Sequence, residues 1–583
     1  MGAYVTGFWK KEPPKTPIKG FAPRIKNIAR NNYRGLLGVL VPLLLLSWQA
    51  EKGNNSRTVH LMWMWMFWFY LLQPVHIPVT GLIPVFVLPM TGVMSSTDTC
   101  QCYMNENIIL YFLTSMLILL LNNSGVDKRI ALWFLCSGDS CQFAAKRMVF
   151  KCSTAAFFLS MFSNRLIVTS TLTQYMTPAL MALKSSSAKG SKPDYDEMRY
   201  IINNAIQTAS GIGSIAILHS SYATLLFRSI WCEFPPKGKE YPDIFNYLSY
   251  SAFAFPVAFV MFVINFCYHM LLVNWVLGKS MTSASMMELK TSLMKYKSEI
   301  PRRTSLHERL SVLFAIFYLL VFFFRWNKWI EGWAEFRMDD DHPLIPKIKD
   351  ATVAAIFVIL LHIIPKGYGF LGFLDAEKKS ELPPLKAESA ILWWRFVDKN
   401  TNYGYFFLFG AGISILTAAQ STGLGSIIAE NFGKEFTGHP WNGSIFLVCF
   451  IASILCNIMP SVPACTMFLP LVIAMSQDAD IPWPTKSYIG ALAVGIASSF
   501  GFCVPFMYSP AYFCYHTGKV PKKKMFKYSF LSVWICMITL WAALIIWAPY
   551  LFDPDDAGVL AIDAPVDGTT AATGAGDEPK PPE

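Results

Sequence analysis

Charged residues are scarce in this sequence. They fill 15% of its 583 positions, where a soluble globular chain carries about a quarter, and that scarcity excludes an ordinary water-soluble domain. The sequence also lacks a nucleophile–base pair, a metal-ligand cluster or a phosphate-cradling glycine loop, which argues against an enzyme. "GIG" at 211–213 and "GAG" at 410–412 lie inside apolar runs, without the strand-to-helix setting of a nucleotide fingerprint. Paired cysteine motifs are missing too. The 13 cysteines are odd in number and scattered, and Cys100 and Cys102 form a lone CxC without the second pair that zinc requires. A link from them to Cys232 has no support in the spacing. The basic, proline-bearing first 34 residues do not read as a cleavable signal.

What the chain has is apolar surface: 54% hydrophobic residues, 15% aromatic, and a mean hydropathy of +0.38. Runs such as Gly35–Trp48, Ala252–Val276 and Phe530–Leu551 recur from end to end, and about 20 apolar residues span a bilayer. The expected class is an all-α polytopic membrane protein. The net charge of +11 does not point to nucleic acid, because the basic residues sit in short blocks between apolar runs, as the positive-inside rule places them.

That rule orients the chain. A cytosolic basic arm (1–34) leads to crossings at about 35–50, 59–73, 78–94 and 107–125, with further crossings at 252–277, 310–326, 351–365, 403–426 and 528–551. The loop 278–309 falls inside, the "DDD" of Asp339–Asp341 outside, and the acidic tail 553–583 outside and disordered. Sequons stand at Asn54 and Asn442, both outside, and at Asn122, at the inner end of a span. On this scheme inner segments hold 35 Lys and Arg and outer segments 12, with Arg165 and Arg228 inside spans completing the 49.

Two stretches do not fit single crossings. Residues 149–183 have basic clusters on both flanks, so the chain enters and leaves on one side; 443–476 repeats this from the other side. Both read as re-entrant hairpins, tolerable only where the tip lines a cavity. Each is followed by an interrupted span, 200–230 with "SGIGS" and "HSSY" and 487–515 with "GFCVPFMYSP". Eleven crossings and two hairpins in inverted repeats are the architecture of a secondary transporter, with its site at mid-membrane where the breaks meet.

The sequence also resembles the divalent anion/sodium symporters, the sodium–dicarboxylate and citrate cotransporters of solute carrier family 13. The resemblance is carried by "YMNENIILYFL…DKRIALWFL" (103–135), "SAFAFP" (251–256), "DATVAAIFVILLHIIP" (350–365), "GAGISILTAAQSTGLG" (410–425), "TMFLPLVIAMS" (466–476) and "ASSFGFCVPF" (497–506). It implies an elevator-type homodimer in the bilayer of the plasma membrane, N-terminus cytosolic and C-terminus extracellular. Scaffold helices would occupy 35–148 and 310–442, and the two halves of a transport domain 149–277 and 443–552. The implied substrate is a small anion: dicarboxylate, citrate or sulfate.

The family's binding motifs are altered here. Where it places Ser-Asn-Thr triplets at hairpin tips, this chain has Ser163-Asn164-Arg165, or Asn164-Arg165-Leu166 without a gap, and Pro460-Ser461-Val462. Its Gly-Thr-Gly-Pro-Asn and Ala-Thr-Pro-Pro-Asn segments become His219-Ser220-Ser221-Tyr222-Ala223 and Met507-Tyr508-Ser509-Pro510-Ala511. The resemblance thus implies substrate contacts from Ser163, Asn164, Arg165, His219, Ser220, Ser461, Val462 and Ser509. No cofactor is expected beyond sodium, at weakened sites near Ser163, Asn164, Gly213, Ser461 and Ser509, because the hard cation has lost side-chain oxygens. An arginine at membrane depth costs a few kcal/mol and marks a pathway or a partner; Arg165 would supply the positive charge a sodium ion once did. The competing readings are an arginine that snorkels to the interface, and a non-transporting scaffold or sensor. His219 is a candidate proton carrier, or simply a hydrogen-bonded side chain.

Overall fold

The computed structural model describes residues 20–48, 54–185, 195–233, 239–240, 243–277, 281–327, 329–335, 347–376, 388–424, 427, 441–476, 487–552 and 562–563. The first part of the basic arm, Lys189, Lys192, Asp339–Asp341 and nearly all of the tail lie outside them. Among the described residues the chain is helical, apart from a two-residue antiparallel pairing of Lys239–Glu240 with Ile562–Asp563 and an isolated bridge from Pro365 to Ala390.

Three helices show most plainly why these sequences fold only in a bilayer. Tyr247–Leu277, Leu306–Phe323 and Lys522–Ile546 are long enough to span, yet only 39%, 33% and 33% of their most apolar windows is buried in protein. On the first, Phe253, Val257 and Met261 pack inward while Phe255, Phe259 and Ile264 face outward. A helix apolar on every side needs lipid on the faces that protein does not cover.

Both re-entrant hairpins form. The first runs Ala145–Phe162 and Arg165–Ser185, turning at Ser163 and Asn164; the second runs Trp441–Ile458 and Ser461–Ser476, turning at Met459 and Pro460. Both interrupted spans form as well, Tyr195–Gly213 with Tyr222–Cys232, and Ser487–Ala497 with Ser509–His516. In each half the first arm of the hairpin packs along the first half of the broken helix. At Gly213 that approach is so close that a Cβ would overlap the Phe157 carbonyl and the Ser160 hydroxyl, so a residue without a side chain is needed there.

Several expectations need correction. The 78–94 crossing is two short helices, Ile77–Thr80 and Ile83–Met90, because prolines at 78 and 84 sit where helices start rather than continue. The inner loop 278–309 contains a helix, Ser283–Ser298, N-capped by Thr282. The 403–426 span begins with a break: Trp394–Asn400 and Tyr405–Ser421 meet at 56°. The cysteines need no correction: all thirteen are free, as their scattered spacing predicts.

Candidate functional site

Four helices begin at one place. Arg165, Tyr222, Ser461 and Ser509 are the first residues of the two hairpin return arms and the two second half-helices, and all four line a single cavity of about 280 Å³. A helix N-terminus carries unsatisfied N–H groups and about half a positive charge. Acidic residues commonly offset that charge, yet none stands in the first turn of any of these four helices.

Arg165 is half-buried. Its Nη1 donates to the Ser214 hydroxyl (3.1 Å) and the Ser221 hydroxyl (3.3 Å), both in the first break. Its guanidinium carbon lies 4.9 Å from the centroid of the Tyr508 ring, in the second break, a cation–π contact. Among the described residues no carboxylate pairs with it, and no protein acceptor takes Nε or Nη2. The Ser221 and Ser499 hydroxyls lie 3.3 Å apart, so the two breaks touch where Arg165 sits.

The tip is held from below. Asn164 Oδ1 accepts from Leu166 N–H (3.0 Å), and Asn164 N–H donates to Asn122 Oδ1 (3.3 Å). Asn122 in turn donates to Asp127 (2.8 Å). The second hairpin has a counterpart in Asn457, whose amide donates to the Phe500 carbonyl (3.1 Å) and accepts from Cys503 N–H (3.0 Å), pinning the second break.

The cavity wall therefore brings together Asn164, Arg165, Ser220, Ser461 and Ser509 of the residues expected at the site. It does not include Ser163, His219 or Val462. Ser163 is fully buried, and its hydroxyl has no partner among the described residues. His219 is buried beside the Tyr247 and Tyr318 rings, at 5.7 and 6.0 Å, and Val462 packs in the core. Gly213 is likewise not in the wall; its close packing on Phe157 accounts for it.

Sequence reasoning missed Lys399, Asn400, Thr401, Asn402 and Tyr405, which complete the wall. They come from the 56° bend, whose signal was the polar, glycine-bearing "KNTNYG" at the mouth of an otherwise apolar span. A second cavity of about 130 Å³ adjoins the first and shares seven lining residues with it, Ser509, Asn402 and Tyr405 among them. Element by element, Asn164-Arg165-Leu166 in the first tip corresponds to Pro460-Ser461-Val462 in the second.

The profile of the citrate transporter family, CitMHS, matches residues 61–501. The chain belongs to the citrate transporter family. As a member it is similar to the Drosophila melanogaster "Protein I'm not dead yet", 24% identical over 85% of this chain and 84% of that protein. It is also similar to the Mus musculus Na(+)/citrate cotransporter, 22% identical over 89% and 94%, and to the Caenorhabditis elegans sodium-dependent high-affinity dicarboxylate transporter 3, 23% identical over 86% and 85%. These relatives bear out the resemblance read from the motifs: this is a divergent member of solute carrier family 13. Among solved structures, the Alcanivorax borkumensis YdaH transporter matches at a TM-score of 0.48 and 10% identity, covering 85% of this chain and 99% of its own.

Proposed function

We propose that this citrate-transporter-family chain is a secondary carrier of small di- or tricarboxylates and similar divalent anions, with Arg165 in place of one sodium ion. The observation that carries the reading is the cavity wall. It joins four helix N-termini without acidic residues in their first turns, and among the described residues its charged side chains are Arg165 and Lys399 and it contains no carboxylate. An anion's carboxylate can take the open Nε–Nη2 edge of Arg165 as a bidentate pair, with a second carboxylate towards Lys399. Its relatives, a Na(+)/citrate cotransporter and a sodium-dependent dicarboxylate transporter, support the substrate class.

Sodium fits the first half poorly. Arg165 already donates to the Ser214 and Ser221 oxygens, and a second cation about 4 Å away would be repelled by about 4 kcal/mol at an effective dielectric of 20. In the second half Ser461 and Ser509 keep their oxygens, so any sodium that remains belongs there. The carrier reading also includes a homodimer in the plasma membrane, and the Lys/Arg bias supports a cytosolic N-terminus and an extracellular C-terminus for it. A non-transporting scaffold is not favoured, since Arg165 lines the cavity and its Nε and Nη2 have no protein acceptor among the described residues.

The test is uptake of labelled succinate, citrate and sulfate into proteoliposomes, with and without Na⁺, for wild type and Arg165→Thr. Sodium-independent uptake abolished by the substitution is expected. Wild-type uptake that requires Na⁺ and survives Arg165→Thr would overturn the replacement of sodium; no flux of any of the three would overturn the carrier.

A further inference from the structure

Arg228 is the second arginine inside an apolar span, and it has no part in the anion site. It belongs to a closed ring of four charges. Arg228 Nη2 lies 2.6 Å from Asp350 Oδ2 and 3.4 Å from Asp243 Oδ1. Arg325 Nε lies 2.6 Å from Asp350 Oδ1, and its Nη2 donates to Asp243 Oδ2 at 2.5 Å. The ring is deeply buried, with the side chains of Arg325 and Asp350 each 1% exposed. Beside it, Asn327 Nδ2 donates to Asn246 Oδ1 (3.2 Å) and Ser249 Oγ (3.0 Å).

Two parts of the chain meet at this ring. Arg228 lies in Tyr222–Cys232, whose first residue is in the cavity wall, and Asp243 in the segment that follows. Arg325 follows Leu306–Phe323 and Asp350 opens Asp350–Ile363, two helices that contribute no residue to either cavity. Each part supplies one arginine and one aspartate. Two contacts, Arg228–Asp350 and Arg325–Asp243, cross between the parts; the other two stay within them. Separating the parts therefore leaves two intact arginine–aspartate pairs. It does not strand a buried charge, which is what makes breaking most buried ion pairs prohibitive.

Alternating access moves one bundle as a body against another, and such interfaces switch between discrete packed arrangements. Resting on the carrier reading above, we infer that the ring is a polar latch between the site-bearing segment and the helices Leu306–Phe323 and Asp350–Ile363. Its two crossing pairs open during transport while each part keeps its own pair.

The test uses the full-length protein with Asp243→Cys and Arg325→Cys together, which leaves the Arg228–Asp350 pair. A second variant, Ser249→Cys with Asn327→Cys, leaves the ring whole in case the first does not fold. Both are oxidised and reduced in proteoliposomes beside wild type, whose own thirteen free cysteines set the background. Labelled succinate is the probe. Oxidation should lower uptake at least tenfold with succinate binding unchanged, and reduction should restore it. A variant shown on gels to be cross-linked that still transports at its reduced rate would overturn the latch. So would loss of binding in reduced Asp243→Cys/Arg325→Cys while reduced Ser249→Cys/Asn327→Cys still binds, which would mark the ring as serving only the fold. Wild type that binds no succinate would instead be a failure of the carrier reading.

Discussion

At Arg165 one guanidinium nitrogen is committed to two serine hydroxyls, and among the described residues no protein acceptor takes the other two. Lysine keeps the charge but cannot hold the serines and offer a planar fork at once. Hydrogen bonds to charged groups contribute about 1.5–3 kcal/mol, so Arg165→Lys should weaken succinate roughly ten- to a hundredfold in a binding isotherm. Lys399 acts differently: Lys399→Gln should weaken succinate more than its monomethyl ester, as competition binding would show. Below the tip, Asn122→Ala leaves the Asn164 N–H and the Asp127 carboxylate without their partner. At about 1–3 kcal/mol for each orphaned group, the variant should melt several degrees lower. Asp243 lies in the loop ahead of Tyr247–Leu277. Burial pushes its carboxyl pKa up, but Arg325 and Arg228 outweigh this and hold it below 3.8. A depressed carboxylate stabilises the fold above its unfolded pKa and loses that contribution as pH falls through the folded value. The melting-temperature gap between wild type and Asp243→Asn should thus be flat near neutrality and close only in strong acid.

At the scale of elements, the fit between hairpin and broken helix is the constraint. Gly213→Ala would drive a methyl into the backbone of Ala145–Phe162, and loss of properly folded protein on size-exclusion chromatography is the expected outcome. These elements were legible because basic flanks on both sides of an apolar stretch leave few alternatives, and because "SGIGS" and "GFCVPFMYSP" interrupt spans that otherwise read as continuous. The bend at Thr401–Gly404 was not legible: its four residues resemble the ordinary polar mouth of a helix, and only packing shows that Asn400 to Asn402 turn into the cavity. The ring at Arg228 escaped for a related reason. Its members stand at 228, 243, 325 and 350, and no periodicity connects positions so far apart. His219 shows the converse, a conspicuous residue in a motif position that folding turns towards Tyr247 and Tyr318 and away from the cavity.

Across the whole molecule, the three sequons report on sidedness. Asn54 and Asn442 are exposed, whereas both amide atoms of Asn122 are engaged in hydrogen bonds within the protein. Endoglycosidase treatment should therefore shift wild type, with the shift lost in Asn54→Gln/Asn442→Gln and retained in Asn122→Gln. The resident arginine has a further consequence. A sodium ion can dissociate before an empty site returns, but a guanidinium bonded into the chain cannot. If the arginine-bearing part of the site crosses the membrane field while Lys399, in the scaffold segment 310–442, stays behind, it carries one positive charge when empty and one net negative charge when loaded with a dianion. Each charge moved through 100 mV corresponds to about 2.3 kcal/mol, so membrane voltage that speeds one half of the cycle slows the other. Exchange of anion for anion, in which the empty site never has to cross, escapes that opposition, and liposomes clamped with potassium and valinomycin should show exchange outpacing net uptake at either polarity.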